Sequence, residues 1–564
     1  MSLRIACTGV LIAAAVWTAT GQPQRSTSLL DVMVSELDRN FRVLKEKADP
    51  APYFMSYAVT EYESAVVAAT MGALSNQSTS RSRTLDVSVR VGSRQLDNYR
   101  SARGERVHFT QGSVFPLDDN PVALRYRLWQ DTDRVYRLAA ERLIKIKTST
   151  QVKVAAEDGS GDFSDEEAAQ HAEPARRLNF PADQWADRAR KLSSGFGKYP
   201  QILTSGVTVL AEAETKYFVN SEGTRIEQGR GFARVIVTAS ARAEDGMDLG
   251  TSDSFEAADP DGLPEDKTIQ RAIEKVAQDL TGLLKAPVAE PFVGPAILSG
   301  KASGVFFHEI FGHRIEGHRQ KDETEGQTFT KSLGGPVLPE FLSVLFDPTQ
   351  RKMGSIDLNG WYQFDDEGVA ARPVRLVDHG ILKAFLMSRS PVKGFPKSNG
   401  HGRKQQGMEA VSRQSNLIVE SSKQVPEREL RQMLIAEVKR QSKPYGLYFE
   451  HVVGGFTTTQ RAGLQAFKVI PVVVYRVYPD GRPDELIRGV DIVGTPLASF
   501  AKILATSDKQ GVFNGYCGAE SGSVPVSAVS PAILVSEIEV EKKAKSQDRP
   551  PLLPSPGETA GEAR

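Results

Sequence analysis

The sequence predicts an α+β protein, with an N-terminal α/β domain of antiparallel strands and flanking helices followed by a strand-rich C-terminal domain. Three observations predict it. The chain has 564 residues, too many for one ordinary core. Helical and two-residue apolar periodicities alternate along it, with no repeat of solenoid type. A Pro-containing stretch, Ala286-Pro287 to Gly294-Pro295, divides it near residue 290.

Taken in order, the first residues read as an export signal. Arg4 gives a short positive start, Ile5 to Thr20 is uncharged and apolar, and Ala19-Thr20-Gly21 has the small-x-small pattern of a cleavage site. Residues 1–21 are therefore expected to be a signal peptide and the mature protein, from Gln22, periplasmic or extracellular. Leu29 to Lys47 carries Leu29, Val32, Met33, Leu37, Phe41 and Leu44 at helical spacing. Thr84 to Val91 alternates like a half-buried strand, and Asp133 to Lys147 reads as a second helix. Ala155 to Arg176, acidic and poor in large apolar residues, reads as an exposed excursion.

Strand patterns resume at Gly206 to Ala211, Thr215 to Asn220 and Ala233 to Ala241, with hairpin-turn chemistry at Asn220-Ser221-Glu222-Gly223. Lys267 to Leu284 is an amphipathic helix closing an N-terminal domain of residues 22–290. The second domain, 291–542, is expected to open with a helix and continue as strands, such as Phe467 to Tyr478 and Ile533 to Val540. Residues 543–564 are rich in Pro, Lys and Glu and read as a disordered tail.

Composition narrows the function. Lys plus Arg and Asp plus Glu both number 70, so the formal net charge is zero. The basic excess of a nucleic-acid binder is missing, and no nucleic-acid partner is expected. No stretch after the N-terminus reaches the roughly 18 apolar residues of a membrane span. Of two cysteines, Cys7 falls in the expected signal, which leaves Cys517 unable to pair within the mature chain. Such a thiol is buried and inert, pairs between chains, or binds something.

The segment that carries chemistry is Gly304-Val305-Phe306-Phe307-His308-Glu309-Ile310-Phe311-Gly312-His313-Arg314. Neutral imidazoles hold a metal, and a neighbouring carboxylate takes a proton from water there. In the common HExxH arrangement the histidines lie four apart on one helix face. Here they are five apart, about 140° round a regular helix, which cannot aim both at one ion. Either the histidines are unrelated, or a π-type turn eased by Gly312 brings them into register. Glu316 and His318 add further donors, and Gly515-Tyr516-Cys517-Gly518 reads as a thiol in a glycine-flanked turn. Gly294 to Ala302 fails as a phosphate loop, because Ala302 stands where Ser or Thr must meet magnesium. Asp365, Asp366 and Glu367 read as a solvated turn rather than a calcium site.

Phe307 to His318 resembles the HExxxH helix of the TldD/PmbA proteins, also called modulators of DNA gyrase. The likeness continues through Gly360-Trp361-Tyr362, Phe364-Asp365-Asp366-Glu367-Gly368, Gly402-Arg403, Ser412-Arg413-Gln414-Ser415-Asn416, Tyr516-Cys517-Gly518 and Ser523-Val524-Pro525-Val526. It is strongest over residues 295–540. The resemblance implies a TldD-like zinc metallopeptidase with Zn²⁺ held by His308, His313 and Cys517 and Glu309 as general base. It also implies extended peptide substrates, and a homodimer or a heterodimer with a PmbA-like paralogue. Arg413 and Asn416 are candidate substrate contacts. Two departures from the family pattern are His318, where an acidic residue is common, and the segment Gly518-Ala519-Glu520-Ser521-Gly522. Two rival readings are a noncatalytic peptide-binding subunit with a structural metal and a zinc amidohydrolase acting on a non-peptide amide.

Overall fold

A computed structural model describes residues 28–101, 107–150, 158–462, 467–494, 499–543, 551 and 553. The expected signal segment and almost all of the expected tail lie outside the described residues. The fold is α+β.

Helix α1 (Leu29–Lys47) spans the range its periodicity predicts and starts on Ser28, whose hydroxyl accepts from the Asp31 amide. Strands β1 (Pro52–Thr70) and β2 (Ala73–Val91) form a long antiparallel hairpin, and β3 (Ser113–Val114) adds briefly to β2. Helix α2 (Pro121–Thr150) begins a full three turns before the expected Asp133. Its start is set by Pro121 in the first turn and by Asn120, whose side-chain oxygen accepts from the amides of Val122 and Ala123.

The stretch before β4 (Gln170–Ala172) is not the exposed excursion expected. Phe163 is buried under the Arg90 guanidinium, 3.8 Å from its ring, and Asp162 accepts from Arg100 and from the Asp97 amide. Few large residues lie in this segment, but those few are docked. After α3 (Ala182–Ser193), the two expected strands before Asn220 are one, β5 (Thr204–Asn220), because the two-residue burial alternation runs unbroken through Glu212 and Glu214. The expected turn joins it to β6 (Arg225–Arg242), followed by β7 (Asp248–Ala257) and α4 (Asp266–Lys285). The seven strands make one sheet in the order β3-β2-β1-β5-β6, with β7 and β4 also on β6. Helices α1 and α2 share one core with this sheet, and α3 and α4 share another.

The Pro-containing stretch at the domain boundary is itself a buried strand, β8 (Phe292–Leu298), so the second half opens on a strand and not on a helix. β8 pairs with Gly446–Thr457 on one side and with the last strand, Gly522–Lys542, on the other. Gly446–Thr457 pairs with Phe467–Val477, which pairs with Val490–Gly494, which returns to the last strand. These five strands therefore close a ring. Closure removes the exposed edges that an open sheet would leave.

Helix α5 (Gly300–Ile310) follows β8 after the Ser299 cap, whose hydroxyl accepts from the Ala302 amide. From Ala302 to Ile310 it is buried on every side, and its polar residues Ser303, His308 and Glu309 are enclosed with it. Phe306, Phe307 and Ile310 join Leu298, Phe467, Val469, Ile492 and Val535 in the largest core. Phe306 meets the rings of Phe307, Phe467 and Phe500 edge-on at 6.1, 5.9 and 5.7 Å. This packing fixes the position of the histidine-bearing end. Phe306→Ala is expected to cost about 3–5 kcal/mol of stability, seen as a lower urea midpoint in equilibrium unfolding.

Candidate metal centre

The histidines converge by a helix break and not by the expected π-type turn. Helix α5 ends at Ile310, and His313 sits in a single 3-10 turn, Gly312–Arg314. Ending a helix strands its last carbonyls, and buried carbonyls need donors. Three of them are met by side chains. The Gln414 amide donates to the His308 carbonyl at 3.3 Å. The Arg314 guanidinium donates to the carbonyls of Glu309 and Ile310 at 3.1 and 3.2 Å. Gln414 reaches in because residue 312 has no side chain: a Cβ there would lie 2.0 Å from the Gln414 Oε1. Gly312 thus supplies a notch rather than flexibility.

Cys517 also departs from expectation. It lies in the strand Ile503–Ala519, close to the hairpin that leads into the last strand, and pairs with Val524. In a strand, alternate residues face opposite sides, which aims Cys517 at α5 and Tyr516 at the N-terminal sheet.

The break and the strand together bring His308, His313 and Cys517 into one group. A ligand atom from each lies within 4.8 Å of the others. The Cys517 Sγ is 3.3 Å from the His313 Nε2, and the two imidazoles are 5.2 Å apart at 80°. All three residues are buried. A tetrahedral ion with nitrogen and sulfur bonds of about 2.0–2.3 Å needs donors about 3.3–3.8 Å apart. The three donors fit with slight closure, and the nitrogen and sulfur set suits a borderline-soft divalent cation.

The electrostatics point the same way. Burial pushes the Cys517 thiol up, but His313 and His308 outweigh it and hold the thiol well below its usual range. Burial pushes His313 down, and Cys517 with Glu316 hold it well above the ordinary imidazole range. Each group thus favours the charged form of the other, and a deprotonated thiol between two imidazoles is a donor set that a cation could bind.

Glu309 is buried next to the group, and burial raises its carboxyl against the opposing pull of His308 and His313. A Cβ on Gly455 would meet the Glu309 Cγ at 2.7 Å, so Gly446–Thr457 can pass directly by this carboxylate only with glycine there. Glu316 stands 3.5 Å from the His313 Nδ1. Burial opposes its ionisation, but His313 and Arg319 bring it down to about 2. A carboxylate behind a ligating imidazole fixes the ring's orientation and tautomer.

Residues 293–542 match the family model described as the PmbA/TldA metallopeptidase C-terminal domain, and residues 176–280 match the PmbA/TldA metallopeptidase central domain. The chain belongs to the TldD/PmbA family. It is 26% identical over 419 residues to a metalloprotease of Methanothermobacter thermautotrophicus, covering 72% of this chain and 84% of that relative. Over 275 residues it is 26% identical to the zinc metalloprotease TldD homolog of Saccharolobus solfataricus, covering 48% of this chain and 57% of that protein. Its fold is similar to that of TldE from Thermococcus kodakarensis, with a TM-score of 0.61 at 14% identity, over 90% of this chain and 100% of that one. The expectation of a secreted, periplasmic protein with a signal peptide is corrected: the relatives of this family member carry metalloprotease and zinc in their names and not export, and residues 1–21 lie outside the described residues.

The structure places the two candidate substrate contacts in the interior. Arg413 has no exposed surface, and it donates to Ser521 Oγ at 2.7 Å, to the Gly522 carbonyl at 2.9 Å and to the Cys517 carbonyl. Asn416 is equally buried and donates to the carbonyls of Asp347 and Gln350 at 2.9 and 2.8 Å. Asp365, expected in a solvated turn, is buried and accepts from the amides of Glu367, Val369 and Gly402. The residue missed between Arg413 and Asn416 is Gln414. Ser412 to Asn416 is five polar residues in a row, all buried, and buried polar groups are there to bind something, but that burial is not visible in the sequence.

Gly312→Ala is expected to expel the Gln414 amide and to lower metal affinity by at least about tenfold, the scale of outer-shell losses. Adding Gln414→Ala makes room for the new methyl and is expected to restore part of that affinity, measured by competition with a chromophoric chelator.

Proposed function

We propose that this chain is a zinc-dependent metallopeptidase that cleaves peptide bonds in extended, unstructured peptides. The observation that carries the reading is the buried trio of two imidazoles and one thiolate with a carboxylate, Glu309, beside it. His308, His313 and Cys517 would hold the ion. When bound, zinc supplies Lewis-acid polarisation and makes water acidic enough to ionise near neutral pH.

The chain's own groups do the rest. Glu309 receives the proton of the attacking water on a carboxylate oxygen and returns it to the leaving amine. Its burial, which raises the carboxyl, makes it a better proton acceptor than an exposed glutamate. Glu316 keeps the His313 ring turned toward the ion. Arg314 donates to Thr457 Oγ1 at 2.7 Å and to the Thr458 carbonyl at 3.1 Å, tying the end of α5 to the strand that passes Glu309. Among the described residues, Val452–Phe456 pairs with a strand on one side only, since the pairing with β8 ends at Phe449. A free strand edge beside Glu309 suits an extended peptide bound through main-chain hydrogen bonds. Such binding reads backbone and not side chain, which fits unstructured substrates. The zinc metalloprotease name of the Saccharolobus solfataricus relative supports the choice of metal, and the likeness to TldE supports pairing with a second family member or a second copy.

Glu309→Gln is expected to keep its zinc and to lose peptide hydrolysis by about 10²–10⁴-fold, the usual contribution of a general base. Metal analysis with a peptide-library digestion checks this. Full proteolysis by Glu309→Gln would remove Glu309 from the chemistry. Wild-type peptide binding without cleavage would favour a noncatalytic subunit, and cleavage restricted to non-peptide amides would favour an amidohydrolase. Cys517→Ser is expected to lose most of the one zinc bound per chain.

A further inference from the structure

The two departures from the family pattern, His318 and the segment after Cys517, meet in space. Glu520, at the tip of the hairpin three residues beyond Cys517, accepts from the His318 Nε2 through one carboxylate oxygen. Its other oxygen accepts from the Arg319 Nη2 at 2.7 Å. Arg319 in turn donates to Glu316 at 2.8 Å and to Glu325 at 2.8 Å, and Glu316 stands 3.5 Å from His313. A continuous chain of charged contacts therefore runs from the His313 imidazole through Glu316 and Arg319 to Glu520, on the hairpin that carries the sulfur.

Apolar packing does little to hold that hairpin. Cys517 shares its apolar cluster with Val524 and Val526 alone. Arg413 grips the carbonyls of Cys517 and Gly522, which holds the strands of the hairpin but does not tie its tip to the helix of His318–Lys321. Glu520 makes that tie, through one carboxylate oxygen to His318 and the other to Arg319.

We propose that Glu520 is a positioning residue for the metal ligand Cys517, fixing the sulfur against the two histidines through His318 and Arg319. It is not one of the three donors that group for an ion. It acts by holding one ligand-bearing element on another, and outer-shell partners of this kind are worth about 10–100-fold in metal affinity. The proposal rests on the zinc reading above for its metal readout and on the structure alone for its thiol readout.

The test uses the full chain in a Cys7→Ser background, with Glu520→Gln and His318→Asn made singly and together. Three measurements are made: zinc affinity by chelator competition, the thiolate-to-cobalt charge-transfer band of the Co²⁺ form, and the rate of Cys517 modification by a thiol reagent in the metal-free protein. Each single variant is expected to weaken zinc binding about 10–100-fold, to shift or weaken the cobalt band, and to raise the rate of thiol modification. The metal-free melting temperature is expected to move little, because the fold's cores lie elsewhere. The double variant is expected to lose little more than either single one, since both break the same contact. Wild-type zinc affinity, cobalt band and thiol rate in both single variants would overturn the proposal. A wild-type protein without a cobalt–thiolate band would instead sink the zinc reading, and the thiol rates would still decide the role of Glu520. If Glu520→Gln does not fold, His318→Asn carries the same test.

Discussion

The hydrogen bonds that end α5 are the constraint on which the metal centre depends. Continued as a regular helix, the segment would send His308 and His313 about 140° apart. Breaking it costs roughly 1–3 kcal/mol for each buried carbonyl left without a donor, and three such carbonyls are at stake. Gln414 and Arg314 meet all three. The break is therefore affordable only with both side chains in place, and Gln414 is in place only because residue 312 is glycine. A π-type turn would have kept the helix ladder and needed neither. The packing of Phe306, Phe307 and Ile310 into the strand ring then holds the broken end still.

Behind the ligands lies an unusual amount of buried charge. Glu316, Arg319, Glu325 and Arg413 are all buried, and Glu316 sits within ion-pair distance of both arginines and of His313. Such networks gain little net stability, because desolvation offsets much of the Coulomb attraction. Their use is geometric. The contacts here link different elements, so a displacement of any one element breaks several of them at once. A site that must hold three donors to within about half an ångström of their places needs that stiffness more than it needs stability.

Much of this was legible in the sequence, and the rest was hidden for physical reasons. Helix α1 and the hairpin at Asn220–Gly223 were readable because their periodicity and turn chemistry are local. His308, Glu309, His313 and Cys517 were readable as residue types, although their convergence is a tertiary fact. Local spacing could say that a regular helix fails between His308 and His313. It could not say which distortion replaces it, because the answer lies in Gln414, about a hundred residues away. The burial of Arg413 and Asn416 was hidden for the same cause. A polar residue in a polar run looks exposed until the fold surrounds it, and Ser412 to Asn416 runs through the interior. Asp365 was misread likewise, since the amides it binds come partly from Gly402.

The placement of Cys517 in a strand, rather than a turn, links the two halves of the molecule. Its neighbour Tyr516 faces the opposite side, where its ring meets Phe232 edge-on at 6.2 Å and its hydroxyl donates to Glu212, which also receives the Tyr62 hydroxyl. Arg234 donates to the Asn514 carbonyl at 2.8 Å, and Asn359, itself held by Arg230, donates to the Gly515 carbonyl at 2.9 Å. The strand that delivers the sulfur is thus gripped from the N-terminal sheet, through β5 and β6, immediately before the residue it delivers. A thiolate ligand offered from a loop could follow an ion that moved. One offered from a strand held on both faces cannot, so the N-terminal sheet shares with α5 the task of setting where the metal sits.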